Sequence, residues 1–396
     1  MSDKTMKNIP KLRFPEFVND GEWEEKKLSD LIYTITPPKK LLTNQYLDKG
    51  SFPIIDQSQK YIAGWTNDKE SIIRGKLPLI IFGDHTCALK LINQPFAQGA
   101  DGIKIFEANS QYLTTNYLYQ FLQFNPLIME EYKRHFSILR DKLVKYPNKN
   151  SGEQQKIADC LSSLDSLITA QSQKVELLKE HKKGLLQNLF PRDGENIPKF
   201  RFPEFVNDGE WEEKILGDVV DYENGKAHEN DISENGDYIV VNSKFISTEG
   251  EIVKYTDSAF CLASKNDILM VLSDVPNGRA IAKCYLVEFD NLYTVNQRIC
   301  KITTKKTISK FLFYVIDRNK YFLSFDDGVK QTNLRKEDVL NCPIVISSNS
   351  DEQQKIANSL SLVDEQINQQ TKKLEALKEH KKALLQQLFP SNEVNK

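Results

Sequence analysis

The sequence has no long apolar run and few cysteines. No stretch of 18 or more apolar residues occurs in its 396 residues, and the N-terminal MSDKTMKNIP lacks the apolar segment of a secretory signal. We therefore expect a cytoplasmic protein that does not enter a membrane. The six cysteines include no C-x-x-C pair, which argues against a zinc ribbon, a thioredoxin-type site and a disulfide framework.

Motifs of catalysis are also missing. The sequence has no G-x-x-x-x-G-K-[ST] phosphate loop, no G-x-G-x-x-G motif after a strand, no Asn-Pro-Pro-aromatic motif and no defensible cluster of nuclease carboxylates. Two of the five histidines, His181 and His380, are matched residues of a repeated segment and are assigned to the scaffold. The sequence therefore predicts a binding protein with no catalytic residue, no metal site and no cofactor of its own.

The net charge of −2 hides an uneven distribution along the chain. Residues 31–150 hold 15 Lys and Arg against 10 Asp and Glu. Residues 218–278 hold 4 basic and 12 acidic residues, whereas 279–336 hold 12 basic and 5 acidic residues. A domain polarised in this way can present a basic face to a phosphate backbone although the chain is nearly neutral.

Two constant segments occur twice, with 17 of 20 and 25 of 39 positions identical: 11–30 with 199–218, and 153–191 with 352–390. The residues between them, roughly 31–150 and 219–350, show no comparable match. Each half is thus a constant leading segment, a variable domain and a constant closing segment. Two copies of this length fit a pseudo-dimer better than a solenoid, whose repeats are short and numerous.

The closing segments carry a heptad pattern. Its apolar positions are Ile157, Leu161, Leu164, Ile168, Val175, Leu178, Leu185 and Leu189, and then Ile356, Leu360, Val363, Ile367, Leu374, Leu377, Leu384 and Leu388. Such a narrow, sustained seam favours a coiled coil between the copies over a long helix lying on its own domain. Each helix should run about 39 residues, or about 58 Å. Ser151 with Gln154, and Ser350 with Gln353, have capping-box spacing at the two starts.

Connectivity predicts the direction of the two helices. Residues 191–198, PRDGENIP, are too few to lead back along the first helix, so the second variable domain begins where that helix ends. The two helices are therefore expected to be antiparallel, and the C-terminus is expected to return near the N-terminal residues. Gln171 and Gln370 lie near the middles of their helices, and we predict that they meet and fix the register, as buried polar residues do in coiled coils.

The predicted fold class is α+β: two globular mixed α/β domains joined by two long antiparallel coiled-coil helices, with pseudo-two-fold symmetry. Trp23 and Trp211 are expected to anchor the leading segments by packing. The predicted divisions are a first variable domain with its leading segment at 1–150, the first helix at 151–190, a linker with the second leading segment and variable domain at 191–349, the second helix at 350–390, and a tail at 391–396.

The first variable domain reads as short apolar strands separated by polar turns. Its Asp84-His85-Thr86 turn follows the buried run LPLIIF and can present donors and acceptors to base edges; the alternative is a turn that satisfies its own hydrogen bonds. Basic residues further along can meet phosphates. The DNA-binding candidates here are Gln57, Lys60, Asp84, His85, Thr86, Arg134, Arg140 and Lys142.

The second variable domain offers amide and guanidinium side chains on its turns. Such groups can make paired hydrogen bonds to adenine or guanine edges, and the ordinary alternative is a solvated turn residue. The DNA-binding candidates here are Asn242, Lys244, Asn277, Arg279, Gln297, Arg298, Lys330, Gln331 and Asn333.

The whole pattern resembles the specificity subunit of a type I restriction-modification system. Each variable domain is preceded by R-F-P-E-F…W-E-E-K and followed by an E-Q-Q-K-I-A helix that ends in K-x-x-L-L-Q-x-L-F-P. The segments IIFGDHT…PFAQGADGIKI and DILMVLSD…NGRAIA…VNQR are similar to target-recognition domains of that family. The resemblance covers essentially the whole chain.

The resemblance implies a non-catalytic subunit that reads a bipartite, asymmetric target in double-stranded DNA, one half-site per variable domain, with the helices setting the spacer. It also implies two methyltransferase (M) subunits that use S-adenosylmethionine, and restriction (R) subunits that use ATP and Mg. Three alternatives stay open: an enzyme with degenerate motifs, a coiled-coil adaptor that binds only proteins, and the recognition subunit of a related restriction-modification system.

Overall fold

The computed structural model describes residues 8–129, 134–228, 230–276 and 278–390. The predicted tail and the candidate Asn277 lie outside the described residues. The chain forms two compact units. The first contains residues up to Gln173 and from Thr371 onward, and the second runs from Lys174 to Gln370.

The helices fall into a short and a long class. The short ones are α1 (Leu28–Leu31), α2 (Thr115–Phe124), α3 (Phe136–Arg140), α5 (Leu216–Val219), α6 (Ser243–Ser247), α7 (Ser309–Ile316), α8 (Lys320–Leu323) and α9 (Lys336–Leu340). The long ones are α4 (Glu153–Leu189) and α10 (Ser350–Leu388). Within the described ranges, no helix combines the length and the apolar character that crossing a membrane requires.

The described part of the first unit contains three sheets. Its strands are β1 (Glu24–Lys27), β2 (Ile32–Ile35), β3 (Phe52–Ile55), β4 (Gly64–Thr66), β5 (Ile72–Ile73), β6 (Leu79–Gly83), β7 (Leu89–Ile92), β8 (Phe96–Gln98), β9 (Ile103–Ala108) and β10 (Leu143–Tyr146). Their orders are β2-β9-β6-β7, β4-β3-β8-β5 and β1-β10. The apolar run predicted as a buried strand is β6, which is buried along its whole length.

Among its described residues, the second unit contains four sheets. Its strands are β11 (Glu212–Ile215), β12 (Val220–Asn224), β13 (Ile232–Ser233), β14 (Tyr238–Val241), β15 (Tyr255–Thr256), β16 (Leu262–Ala263), β17 (Ile268–Val271), β18 (Ser273–Asp274), β19 (Cys284–Leu286), β20 (Tyr293–Val295), β21 (Ile299–Thr304), β22 (Thr332–Asn333) and β23 (Pro343–Ile346). Their orders are β12-β21-β17-β19, β13-β15-β14-β20-β16, β11-β23 and β18-β22.

The two units share one topology although their variable domains show no comparable sequence match. The order β2-β9-β6-β7 corresponds strand for strand to β12-β21-β17-β19. In the other large sheet, the parallel pair β3 and β8 corresponds to the parallel pair β14 and β20. Because a core needs apolar volume in the right places more than particular residues, one topology can persist while the sequence diverges.

Within each unit the long helices run antiparallel. In the first unit, Leu161 near the start of α4 shares a core with Leu388 at the end of α10. In the second unit, Leu189 at the end of α4 shares a core with Ile356 and Leu360 near the start of α10. The predicted fold class, mixed α/β domains with long antiparallel helices, is confirmed. Gln171 and Gln370 belong to different units, and their pairing stays a prediction.

A repeated ion pair holds each leading segment to the start of a long helix. The Arg13 guanidinium donates two hydrogen bonds of 2.7 Å to the Glu153 carboxylate. Arg201 and Glu352 repeat the arrangement at 2.7 and 2.9 Å, and this hydrogen bonding raises the pKa of Arg201. Trp211 adds a bond of 3.1 Å from its Nε1 to Glu352 Oε2. The leading segments therefore form part of the domain cores.

The predicted anchoring by tryptophan is confirmed. Trp23 and Trp211 are 3% and 2% exposed. Phe389, directly after α10, lies 6.3 Å from the Trp23 ring between centroids. Leu12 N donates to Gln387 O at 2.9 Å, so the end of α10 lies beside the first leading segment. The predicted return of residues 390–396 to residues 1–10 falls largely outside the described residues.

The predicted capping boxes are wrong. Asn349, not Ser350, caps α10, because its Oδ1 accepts from Asp351 N at 2.9 Å. The glutamines of both motifs instead join the long helices to the variable domains. This role explains why both copies of the closing segment carry a glutamine at this position. Their bonds are Thr114 N to Gln154 Oε1 (3.0 Å), Gln154 Nε2 to Pro147 O (2.8 Å), Ile308 N to Gln353 Oε1 (2.9 Å) and Gln353 Nε2 to Ser347 O (2.6 Å).

Candidate nucleic-acid interface

Three loops meet at one edge of the sheets in the first unit. The loop after β3 joins the loop after β8 where Gly99 N donates to Ile55 O at 2.8 Å. The turn after β6 joins the residues before β9 where Asp84 N donates to Gly102 O at 2.7 Å. His135 N donates to Asp84 O at 3.0 Å and brings in the chain before α3. Backbone bonds thus fix the positions of these loops.

The second unit builds the same edge with the same bonds. Asn296 N donates to Val241 O at 3.0 Å, joining the loops after β14 and β20. Leu272 N donates to Arg298 O at 2.9 Å, joining the chain after β17 to the chain before β21. Leu334 N donates to Leu272 O at 2.8 Å and adds the chain before α9. The two edges therefore correspond, although their side chains differ.

One connection at this edge is longer in the second unit. Gly83 N bonds to Ala88 O at 2.8 Å across a turn of four intervening residues. The equivalent bond, Val271 N to Lys283 O at 3.0 Å, spans eleven intervening residues. The extra residues form strand β18 and the loop after it. The second edge consequently presents a larger surface of variable side chains.

Gln57 and Thr86 are brought together at the first edge. Thr86 Oγ1 donates to Gln57 O at 2.5 Å, and both residues are half-buried. Gly102 has a φ of +94°, and a Cβ there would lie 2.6 Å from Gln57 Oε1. Gly102 is therefore needed both for its left-handed backbone and for the space it leaves to the Gln57 amide.

Asp84 and Lys142 make bonds within the protein. Asp84 is 5% exposed, and its Oδ1 accepts from Phe136 N at 2.8 Å. The Lys142 ammonium donates to the carbonyls of Asn125 and Pro126 at the end of α2, and burial lowers the pKa of Lys142. These contacts favour the alternative of a self-satisfied turn for Asp84 and give Lys142 a structural role. DNA contact by either residue stays a prediction.

The remaining candidates of the first unit are open to solvent in differing degrees. Lys60, Arg134 and Arg140 are exposed, and His85 is half-buried on the turn after β6. Arg134 directly precedes His135, which is bonded to that turn. The backbone thus places Arg134 beside the edge.

The structural role of Asp84 predicts a loss of stability when its carboxylate is removed. Asp84→Ala leaves the buried Phe136 N–H without its acceptor, which should cost about 1–3 kcal/mol of unfolding free energy. Arg134→Ala removes an exposed side chain and should leave stability unchanged. Urea denaturation of both variants checks the contrast, and equal midpoints would show that the Asp84 carboxylate does not support this turn.

The second unit brings Arg298, Gln331 and Asn333 together. Strand β18 pairs with β22 so that Ser273 lies opposite Asn333. Gln331 Nε2 donates to Ser273 Oγ at 2.7 Å. Arg298 is exposed, and its carbonyl holds Leu272, the residue before β18. The backbone therefore places an exposed arginine close to two amide side chains, and these are the residue types used for paired hydrogen bonds to purine edges.

Arg279 lies on a loop closed by one carboxylate. Asp274 Oδ2 accepts from Ala280 N at 2.6 Å and from Ile281 N at 3.1 Å. A Cβ at Gly278 would lie 2.1 Å from that oxygen, so the loop needs glycine at this place. Arg279 itself is exposed. The loop presents its guanidinium on a hydrogen-bonded frame.

The other candidates of this unit lie on neighbouring loops. Asn242 caps α6, its Oδ1 accepting from Phe245 N at 2.9 Å, so part of its side chain serves the fold. Lys244 on α6, Gln297 beside Arg298, and Lys330 before β22 are exposed. Asn242 directly follows Val241, where the two loops of the edge are joined.

Sequence reasoning missed two lysines that lie beside the edges. Lys40 forms a bridge with Gln98 in the first unit, and Lys226 forms one with Asn296 in the second. Both lysines are exposed, and Lys40 Nζ donates to Asp101 Oδ1 at 2.6 Å. No sequence signal identifies them, because their places depend on strand pairing. The two positions are neighbouring rather than identical, since the bond from Leu41 N to Gln98 O corresponds to the bond from Lys226 N to Val295 O.

The chemistry of the two edges is that of binding. Each offers amide, guanidinium and ammonium donors on loops fixed by backbone bonds, which suits phosphate contact and base reading. Within the described ranges, no group of three or more His, Cys, Asp and Glu side chains is placed to hold a metal ion.

A family model described as the type I restriction modification DNA specificity domain matches this chain twice, at residues 20–180 and 208–379. The two matches correspond to the two halves of the duplication and together span most of the sequence.

Known proteins resemble the chain over nearly its full length. It is 23% identical to the type I restriction enzyme MjaVIII specificity subunit of Methanocaldococcus jannaschii, covering 98% of this chain and 95% of that protein. It is 24% identical to a putative type I restriction enzyme MjaX specificity subunit of the same organism, covering 96% of each. The crystal structure of a type I restriction-modification system S subunit from M. genitalium has a TM-score of 0.71 at 16% identity, covering 97% of this chain and 100% of that one.

Proposed function

Because the chain belongs to the type I restriction-modification DNA specificity family, we propose that it reads a bipartite, asymmetric DNA target with one half-site per unit. The observation that carries this proposal is the recurrence of one loop edge in both units with different side chains. Because the two edges are built alike, both units can be placed on DNA in the same way. Because their side chains differ, the two units can read two different half-sites.

At each edge, phosphate contacts and base contacts have different roles. Exposed lysines and arginines such as Lys40, Arg134 and Lys226 set the position of the domain on the backbone, without regard to sequence. Amides and guanidinium groups such as Gln331 and Arg298 discriminate between bases, at about 1–3 kcal/mol for a good paired contact. Because both edges belong to one chain, binding of the first half-site raises the effective concentration of the second edge.

The chain acts as the non-catalytic subunit of a larger complex. In this proposal two methyltransferase subunits bind S-adenosylmethionine and carry adenine DNA methyltransferase activity, and restriction subunits carry the ATP- and Mg-dependent deoxyribonuclease activity. This chain binds none of those cofactors and positions the partner subunits on the target. Methylation of adenine requires the base to leave the stack, so the duplex must be held in place while the partner acts.

A salt titration tests DNA recognition by the second edge. Replacing both Lys226 and Lys330 by glutamine should weaken binding of target DNA by the complex with methyltransferase subunits. The slope of log affinity against log salt should fall by about 0.9 for each lost phosphate contact. Fluorescence anisotropy at several salt concentrations measures both quantities.

The matched control replaces Lys265 and Lys306 by glutamine. These exposed lysines lie before β17 and after β21, at the opposite end of the same sheet, and their loss changes net charge equally. They should leave affinity and slope as in the wild type. If both double variants weaken binding equally, the proposal that the second edge contacts DNA would be contradicted. Absence of any salt-dependent binding would instead favour an adaptor that binds only proteins. Methyl transfer by the purified chain alone would favour an enzyme.

A further inference from the structure

A carboxylate in the first unit joins three structural elements at one point. Asp165 on α4 receives Lys381 Nζ from α10 at 2.5 Å on its Oδ1. Its Oδ2 accepts from Gln120 Nε2 of α2 at 3.0 Å. Lys381 also donates to Gln123 of α2. Burial and the nearby carboxylate raise the pKa of Tyr119 on the same helix to about 12.

The second unit contains the equivalent junction with the helices exchanged. Asp364 on α10 receives Lys182 Nζ from α4 at 2.6 Å on its Oδ1. Its Oδ2 accepts from the Tyr314 hydroxyl of α7 at 2.7 Å. The Lys182 ammonium also lies 5.5 Å from the centre of the Tyr314 ring. Again one carboxylate bonds to the other long helix and to the variable domain.

The third members of the two junctions occupy the same structural position. Thr114 N and Ile308 N, at the starts of α2 and α7, both donate to the repeated glutamine of the long helices. Gln120 follows Thr114 by the same number of residues as Tyr314 follows Ile308. A glutamine and a tyrosine thus make the same bond from two dissimilar domains.

The lysines fill the gaps that interrupt the apolar seam. Lys381 is 9% exposed, and Lys182 is partly buried. A seam lysine costs stability unless a carboxylate meets it, and such a polar pair is satisfied in one register only. The repeated closing segment therefore keeps Asp and Lys at positions where an apolar residue would pack more simply.

We propose that Asp165 and Asp364 are positioning residues that orient each variable domain on the long helices and thereby restrict the half-site spacing that the subunit accepts. This inference rests on the proposed function. An ion pair between the two long helices alone would fix only their register. A carboxylate shared between both helices and α2 or α7 also fixes the orientation of the variable domain. Its loss should therefore allow the domain to change its angle to the helices.

The experiment uses the full complex with methyltransferase subunits and a DNA library in which the spacer varies by one base pair around the natural length. Asp165→Asn and Asp364→Asn should raise methylation of targets with neighbouring spacers, relative to the natural spacer, by about fivefold, the factor expected for losing one hydrogen bond of ordinary strength. Tyr314→Phe removes only the hydroxyl and should relax spacing in the same direction without disturbing the ion pair.

The matched controls are Glu176→Gln and Glu375→Gln. These carboxylates also pair with lysines of the repeated helix segments, but on the surface and within one helix. Spacing selectivity should be unchanged in both. The exchange Asp165→Lys with Lys381→Asp restores the ion pair in reverse, and it should recover part of the selectivity lost in Asp165→Asn.

The outcomes separate the two proposals. If the wild-type complex methylates without sequence preference, the proposed function fails. If the wild type selects one spacer and Asp165→Asn, Asp364→Asn and Tyr314→Phe all select it equally sharply, the positioning role fails alone. If total methylation falls while the ratio between spacers stays constant, these residues serve stability only and the positioning role is likewise overturned.

Discussion

Glu352→Ala is expected to lower the free energy of unfolding by about 3–5 kcal/mol, the range found when one partner of a buried ion pair is removed. Glu352 is fully buried and accepts from three side chains: Arg201, Trp211 and Ser347, the last at 2.6 Å. The truncation leaves the Arg201 guanidinium buried without a paired carboxylate, since the Arg201 side chain is only 7% exposed. Urea denaturation followed by tryptophan fluorescence reports the change, since Trp211 lies in the affected core.

The control for this variant is Glu204→Ala. Glu204 pairs with Lys355 between the same leading segment and the same helix, but both side chains are about half exposed. Surface pairs of this kind contribute little, so the denaturation midpoint should stay at the wild-type value. A Glu352→Ala protein that unfolds at the wild-type urea concentration would show that the leading segment is held mainly by apolar packing.

The long helices could be predicted from the sequence because their signals are local. A heptad seam needs only residues three and four apart, and it located α4 and α10 correctly. The capping boxes failed because Gln154 and Gln353 have the right spacing but bond to distant backbone at Thr114 and Ile308. Spacing along the chain does not report a tertiary partner, which here outcompetes the local bond.

For the edge residues, the sequence could predict that polar turn residues lie at the surface, but not which of them are free to bind DNA. Turn chemistry identified exposed candidates such as Arg279 and Arg298, because charged residues between apolar strands face outward. It could not separate them from Asp84, whose carboxylate is buried against Phe136 N. It also missed Lys40 and Lys226, since their places beside the edges depend on strand pairing across the chain. Recognition surfaces are assembled from several loops, and single loops carry little of that information.

Deleting residues 171–177 and 370–376 together is expected to reduce methylation of the natural target at least tenfold. Each deletion removes one heptad and keeps the phase of the seam, and the junction residues Asp165 and Asp364 remain. Each helix becomes about 10 Å shorter at 1.5 Å per residue, which corresponds to about three base pairs of DNA. Targets that are still methylated should have a spacer shorter by about that number, with both half-sites unchanged.

The shortened spacer should also be methylated less efficiently than the natural one. Three base pairs turn the duplex by roughly 100°, since one helical turn takes about 10.5 base pairs, whereas a heptad deletion barely rotates a coiled coil. Either the DNA or the protein must twist to compensate for that difference, and this costs free energy. Exchanging the heptads 171–177 and 370–376 with each other keeps the length and is the matched control; it should retain the natural spacer. Sequencing of methylated sites in cells that carry each variant gives the spacer directly. A deletion variant that methylates the natural spacer as before would refute the proposal that helix length sets the spacing of the half-sites.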